Sequence, residues 1–329
     1  MKRMRRAIGV AAFLILSMLG FPASASAEAP VEGYVTVNGV TLEYLDWGGK
    51  GPPLILVPGT VDNPHVFDDL APSLRAFRHV IGFSRRGAGN SEAKGPYDIV
   101  TLTNDLVAFM DALHIDKADL VGYSAGGVEV TEVAAKFPDR VLHVIYFDSA
   151  YVWNGGWAPY PPKGKLPEYF TPPATAMASL NDYLEYYRAT YYPALDRIDP
   201  LMANLKEKVA IARDGRVSFR LSQDELQKII ADWEKNPPLD FAKVKCPVLA
   251  VYAQHASDLR ADKDARASQL SYETRYWRPW QERSVRAIKQ FIPSAQIATL
   301  PGGHGDFIII SREKLTDLLR EFLSGQHKS

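Results

Sequence analysis

Ser124 stands in the stretch LVGYSAGGVEV, from Leu120 to Val130, with a glycine two residues away on each side. A serine hydroxyl is a poor nucleophile near neutral pH. To attack a carbonyl it needs a base for its proton, a group that orients the base, and donors for the charge that develops on oxygen. The pentapeptide Gly122-Tyr123-Ser124-Ala125-Gly126 fits G-x-S-x-G, a pattern that is weak alone. Its flanks strengthen it. An apolar strand pattern (ADLV) leads in and a helical run (AGGVEVTEVAAKF) leads out. That is the strand–turn–helix setting in which a strained turn lifts a hydroxyl above a sheet, and glycines leave out the side chains that would clash there. The plainer alternative is a serine that caps a helix.

Two donors for an oxyanion are legible nearby. One is the backbone N–H of Ala125, at the start of the helix. The other is expected from the loop LVPGTVDNPHVFDD, where Gly59 permits close backbone approach and Thr60 offers its N–H. Of the seven histidines, His65, His79, His114, His143, His255 and His327 lack a motif. His304 sits in the glycine-rich PGGHG, after the last strand pattern and shortly before the final helix. An imidazole that titrates near neutrality suits a general base.

The elements that must position these groups alternate along the chain. Val31–Val37 and Thr41–Trp47, split by Asn38-Gly39, read as a tight hairpin. Leu54–Val57, His79–Phe83, Asp119–Val121, Val141–Phe147, Val248–Tyr252 and Ile297–Leu300 read as further strands. Several are apolar on both faces, as in a parallel sheet covered by helices. Thr101–Leu113 carries Leu102, Leu106, Phe109, Met110 and Leu113 on one helical stripe, and Ala125–Phe137 and Arg312–Leu323 also read as helices. Strand–helix alternation after a leading hairpin argues for an α/β fold. The alternation breaks from about Tyr151 to Lys243, a stretch rich in Gly, Pro and Trp, then in tyrosine. It reads as a helical cap over the carboxyl edge of the sheet, and its composition would equally allow a small separate domain.

Composition narrows the classes. Lys plus Arg is 38 and Asp plus Glu is 38, with no basic run interleaved with aromatics, so no nucleic-acid partner is expected. The start, MKRMRR followed by about 15 apolar residues and Ala25-Ser26-Ala27, reads as a cleavable secretory signal. The apolar run is short of the roughly 20 residues of a spanning helix, so a secreted or periplasmic protein, free of the membrane after cleavage, is expected. The expected division is signal peptide 1–27, core 28–150, cap 151–243 and core 244–329. Cys246, the one cysteine, precedes an apolar strand and is expected to be buried and inert. No metal cluster or nucleotide-binding loop is visible, so neither metal nor cofactor is implied. Oligomeric state is not legible.

Over nearly all of the mature sequence the chain resembles the α/β-hydrolase fold superfamily. Besides the Ser124 motif, GFSRRGAGNSE is similar to the family's glycine-rich loop after the fourth strand, and LPGGHGDF to its histidine loop. Pro58-Gly59 stands where many members have His-Gly, and Ser84 where many have aspartate. Neither change removes a backbone donor. The resemblance implies a mostly parallel eight-stranded sheet flanked by helices, a cap insertion, and His304 as the base.

For the acid it leaves two candidates, Asp148, which is the expected one, and Asp258 as the alternative. Asp258 follows the strand PVLAVYAQHASD slightly late, at the head of a long insertion running to Trp280. Asp148 ends the preceding strand, HVIYFD, the position used by a minority of the fold. The separation 148 − 124 is 24 residues, one helix plus one strand, so the strands that carry Ser124 and Asp148 should be neighbours. Family members that open epoxides or cleave carbon–halogen bonds attack with a carboxylate, which is missing here. Serine implies acyl transfer on a small-molecule ester or lactone. The rivals are an aminopeptidase, with Asp182 or Glu185 of the cap holding the amine, a cofactor-free perhydrolase, and a non-catalytic binding protein. Trp153, Trp157 and the tyrosines 183, 186, 187, 191 and 192 suggest a largely apolar pocket, or simply cap packing.

Overall fold

The computed structural model describes residues 29–152, 171–196, 198–257 and 263–325. The expected signal peptide, Trp153, Trp157, Asp258 and His327 lie outside these residues.

Eight strands form one sheet in the order β1-β2-β4-β3-β5-β6-β9-β10. The hairpin β1 (Val31–Val37) and β2 (Val40–Gly49) turns at Asn38 and Gly39, both with positive φ. This is the conformation a two-residue turn needs to match strand twist. β2 is antiparallel to β4 (His79–Phe83), while β3 (Pro53–Val57), β5 (Ala118–Tyr123), β6 (Val141–Phe147), β9 (Val248–His255) and β10 (Gln296–Gly303) run parallel. The sheet is therefore mostly parallel, and both its faces are covered. Alternate residues of each strand enter different cores. Ile55, Leu120, Val144 and Ala250 pack with helices α1 (Ile99–Ala112) and α2 (Gly126–Lys136). Leu56, Val121, Ile145 and Leu249 pack on the other side, in a core shared with Leu315 and Leu319 of the C-terminal helix. Helix α1 begins two residues earlier than the apolar stripe requires. Asp98 caps it, accepting from the N–H groups of Val100 and Thr101.

The cap is not purely helical. Between helices α3 (Leu180–Tyr191), α4 (Met202–Glu207) and α5 (Gln223–Trp233) it holds a hairpin of two three-residue strands, β7 (Val209–Ile211) and β8 (Val217–Phe219). Strands this short leave no period to read. Tyr183 and Tyr187 are fully buried in the core beneath the cap, alongside Leu201 and Leu205, so the packing role prevails for these two rings.

After β9 the insertion folds as helix α6 (Lys263–Tyr272), a π-helical turn (Glu273–Trp277) and helix α7 (Arg278–Phe291), and the chain closes with α8 (Arg312–Leu323). Cys246 is half-buried against the core, and burial pushes its thiol up to about 11, consistent with an unreactive thiol.

Polar pairs tie the cap to the loop after β3. Lys208 Nζ lies 2.6 Å from Asp62 Oδ1, and Asn204 donates to the same oxygen. Asn63 N–H donates to Asn204 Oδ1 at 3.1 Å. His65 bridges Asp68 of its own loop and Glu207 of α4, at 2.8 and 3.0 Å. Burial alone would lower the pKa of His65, but its hydrogen bonds to Asp68 and Glu207 outweigh that and push it up to about 10.

A folded-state pKa above the unfolded value means stability that is complete below about pH 6.5 and fades as pH rises toward 10. His65→Gln should therefore lower the melting temperature clearly near pH 6 and much less near pH 10. Equal losses at both would contradict the pairing. Lys208→Met strands Asp62 without its cation and should cost roughly 3 kcal/mol in urea denaturation.

Candidate active site

Ser124 occupies the turn between β5 and α2 with φ of +52°. For a residue with a Cβ this left-handed backbone is strained, and it persists only where its surroundings hold it. The neighbours make room. A Cβ on Gly122 would come within 2.6 Å of the Gly126–Gly127 backbone, and one on Gly126 within 2.2 Å of Val57 O. Both flanking glycines are thus required by contact. Asp148 ends β6 in the same way, with φ of +45°. Because β5 and β6 pair in parallel with Tyr123 opposite Phe147, their next residues leave the same sheet edge. Ser124 N–H donates to Phe147 O, and Asp148 N–H to Val251 O, extending the ladder by one bond each.

His304 follows β10. Its Nδ1 lies 2.6 Å from Asp148 Oδ2, and its Nε2 lies 3.0 Å from Ser124 Oγ. A carboxylate can only accept, so Nδ1 carries the proton and Nε2 accepts from the serine hydroxyl. The imidazole is held on its other sides as well. Tyr123 stacks on it at 5.4 Å and donates its hydroxyl to His304 O, and Asp306 Oδ1 accepts from Gly303 N–H to shape the loop. Asp148 is fully buried. Its Oδ1 accepts from Tyr151 Oη–H at 2.5 Å and from Ala253 N–H at 3.0 Å, so the carboxylate is fixed by three hydrogen bonds. Burial, and then the charge of Asp148, hold the Tyr151 hydroxyl well above its ordinary pKa, so it serves as a donor.

The structure thus brings Ser124, His304 and Asp148 together. Thr60 and Ala125 line one small cavity, and a Cβ on Gly59 would lie 3.5 Å from Ser124 Cβ, which sets this loop against the serine. Among the described residues neither Thr60 N–H nor Ala125 N–H has a hydrogen-bond partner.

Other candidates are placed elsewhere. Asp182 and Glu185 are exposed and paired locally with Ser179 and Arg188. His255, at the end of β9, lies 3.0 Å from Glu273 of the insertion. Tyr192 packs against Gly305, beside His304. Among the described residues no group of three or more His, Cys, Asp and Glu side chains could hold a metal.

Sequence reasoning did not single out Tyr151, Gln281 or Arg85. Gln281 Nε2 lies 3.4 Å from Tyr151 Oη and donates to Ala253 O. Arg85 is buried, with Nε 2.6 Å from Glu129 Oε1. Arg85 lies within the glycine-rich loop GFSRRGAGNSE, and only its burial, a tertiary fact, could have flagged it.

This sheet order, with a serine on the turn after β5 and a histidine after the last strand, defines the α/β-hydrolase fold. The family's model matches residues 52–255, and the chain belongs to that family. The chain is 27% identical over 267 residues to RutD of Caulobacter sp. (strain K31), a protein named for carbamate hydrolysis, covering 78% of this chain and 85% of that one. It is 35% identical over 127 residues to epoxide hydrolase A of Mycobacterium tuberculosis, spanning 35% of this chain and 38% of that protein. It is 32% identical over 139 residues to N-formylmaleamate deformylase of Pseudomonas putida, spanning 42% and 51%. Among solved structures, E-2-(acetamidomethylene)succinate hydrolase matches with a TM-score of 0.66 at 19% identity, over 90% of this chain and 99% of that one. The chain is a hydrolase of this fold.

If Asp148 orients His304, Asp148→Asn should lower turnover by about four orders of magnitude while the fold is kept. Asp258→Asn should leave turnover near wild type. The reverse pattern, read from initial rates, would move the acid to Asp258.

Proposed function

We propose that this protein is a serine hydrolase that cleaves a carboxylic ester or lactone of a small molecule through an acyl-enzyme. The observation that carries the reading is the chain of two hydrogen bonds from Ser124 Oγ through His304 to Asp148, at 3.0 and 2.6 Å.

Ser124 attacks the carbonyl carbon as its proton passes to His304 Nε2. The negative charge moves onto the carbonyl oxygen, where the Thr60 and Ala125 N–H groups meet it. Collapse of the tetrahedral intermediate expels the alkoxide, which takes the proton from His304 and leaves as an alcohol. Water then attacks the acyl-enzyme as His304 again takes the proton. Collapse of this second intermediate breaks the bond from the acyl carbon to Ser124 Oγ, returns the proton to the serine and releases the acid. Asp148 stays ionised throughout. It holds the Nδ1–H tautomer and stabilises the imidazolium that forms in each step. Each oxyanion donor is worth about 2.7–4 kcal/mol of transition-state stabilisation.

Some of the relatives' names support bond cleavage at acyl-type carbons, among them a deformylase and, in the same fold, an enol-lactonase from Burkholderia xenovorans LB400 (TM-score 0.59, 21% identity). Residue type separates this chain from epoxide opening, since the attacking position holds Ser124 and not a carboxylate. Export through the N-terminal leader is part of the same proposal.

Ser124→Ala should abolish p-nitrophenyl ester turnover and labelling by a fluorophosphonate probe while the circular dichroism spectrum is unchanged. Activity retained in that variant would remove Ser124 from the role, and a folded wild type that does not label would favour a binding protein.

A further inference from the structure

The oxyanion donor Thr60 N–H belongs to the same planar peptide as Gly59 C=O, and the two point in opposite directions. Whatever fixes the carbonyl therefore aims the amide. Arg85 fixes it. Its Nη1–H donates to Gly59 O, its Nη2–H donates to Pro58 O at 2.6 Å, and its Nε–H donates to Glu129 Oε1 at 2.6 Å. Arg85 is 4% exposed and Glu129 is fully buried on the first turns of α2, four residues after Ala125. Arg85, Glu129, Thr60 and Ala125 line one cavity.

Building on the acyl-transfer reading above, we propose that Arg85 is a positioning residue for the oxyanion hole, held by Glu129 and acting through the Gly59–Thr60 peptide. Two effects follow from the geometry. The rigid fork ties two successive carbonyls to α2, the helix that supplies Ala125 N–H, so both donors are referred to one element. A cation on Gly59 O also draws electron density from the peptide and strengthens the opposite N–H as a donor, since bonds in a chain polarise one another. The second contact on Gly59 O, from Asp62 N–H at 3.3 Å, is longer and uncharged. Lysine could not replace Arg85. It is a single point charge on a flexible stem and cannot serve two carbonyls and a carboxylate in one plane.

The test is the second-order rate of Ser124 phosphonylation by a fluorophosphonate, followed across the neutral pH range with melting temperatures alongside. It is run on Arg85→Lys and on the double variant Arg85→Met/Glu129→Met, which leaves no unpaired buried charge. Both should label between about ten- and a hundredfold more slowly than wild type. The midpoint of the pH–rate curve should stay in place, because the His304–Asp148 pair is untouched. A folded variant labelling within about threefold of wild type would make the Arg85–Glu129 pair purely structural. A midpoint that moves with the rate would place the loss at His304, and also overturns the inference. If the wild type itself is inert to the probe, the failure lies in the reading of Ser124 as nucleophile.

Discussion

The structure depends on one backbone constraint, the left-handed conformation of Ser124 at the end of β5. An L-residue held there costs about 1–2 kcal/mol, and the strain is sustained by packing on every side. Strand β5 lies in the middle of the sheet, fully buried. The glycines on either side leave no Cβ to collide with Val57 O or with the first turn of α2. The result is a hydroxyl lifted clear of the sheet directly beside the N-terminus of a helix. Asp148 repeats the device on the neighbouring strand, and the parallel register places the two side chains over one edge. His304 needs only to reach between them.

The second consequence concerns where the acid comes from. The end of β9 is closed off by the insertion that follows it. Glu273 takes His255 with one oxygen and Ala256 N–H with the other. The same insertion then supplies Trp277, Trp280 and Gln281, which surround Tyr151. Trp280 stacks on the Tyr151 ring at 4.1 Å, and Trp277 lies 5.1 Å away. Tyr151 in turn donates to Asp148. The segment that occupies the end of β9 thus braces the carboxylate at the end of β6. The π-helical turn at Glu273–Trp277 lies where both contacts originate, in keeping with the frequent use of such turns at functional sites.

Much of this was legible in the sequence wherever a local pattern existed. Val31–Val37, His79–Phe83, Val141–Phe147 and Arg312–Leu323 have the bounds their apolar periods imply. β9 and β10 run three residues further than expected, because hydrogen bonding to a neighbour continues past the apolar run. Ser124 and His304 stood out because glycine-rich turns of fixed shape surround them. The acid did not, since an aspartate at a strand end is common and only the paired register decides which one meets the imidazole. The supports of the site were hidden for the same reason. Arg85 and Glu129 are 44 residues apart, and Lys208 and Asp62 are 146 apart. No spacing rule links such pairs; the folded sheet brings the first together and the packing of the cap on the core the second.

The most direct measurement is a crystal structure of the protein after reaction with a fluorophosphonate. The account predicts continuous density from Ser124 Oγ to phosphorus, with the phosphonyl oxygen about 2.7–3.1 Å from both Thr60 N and Ala125 N. An adduct on another residue, or one whose oxygen points away from those amides, would contradict it.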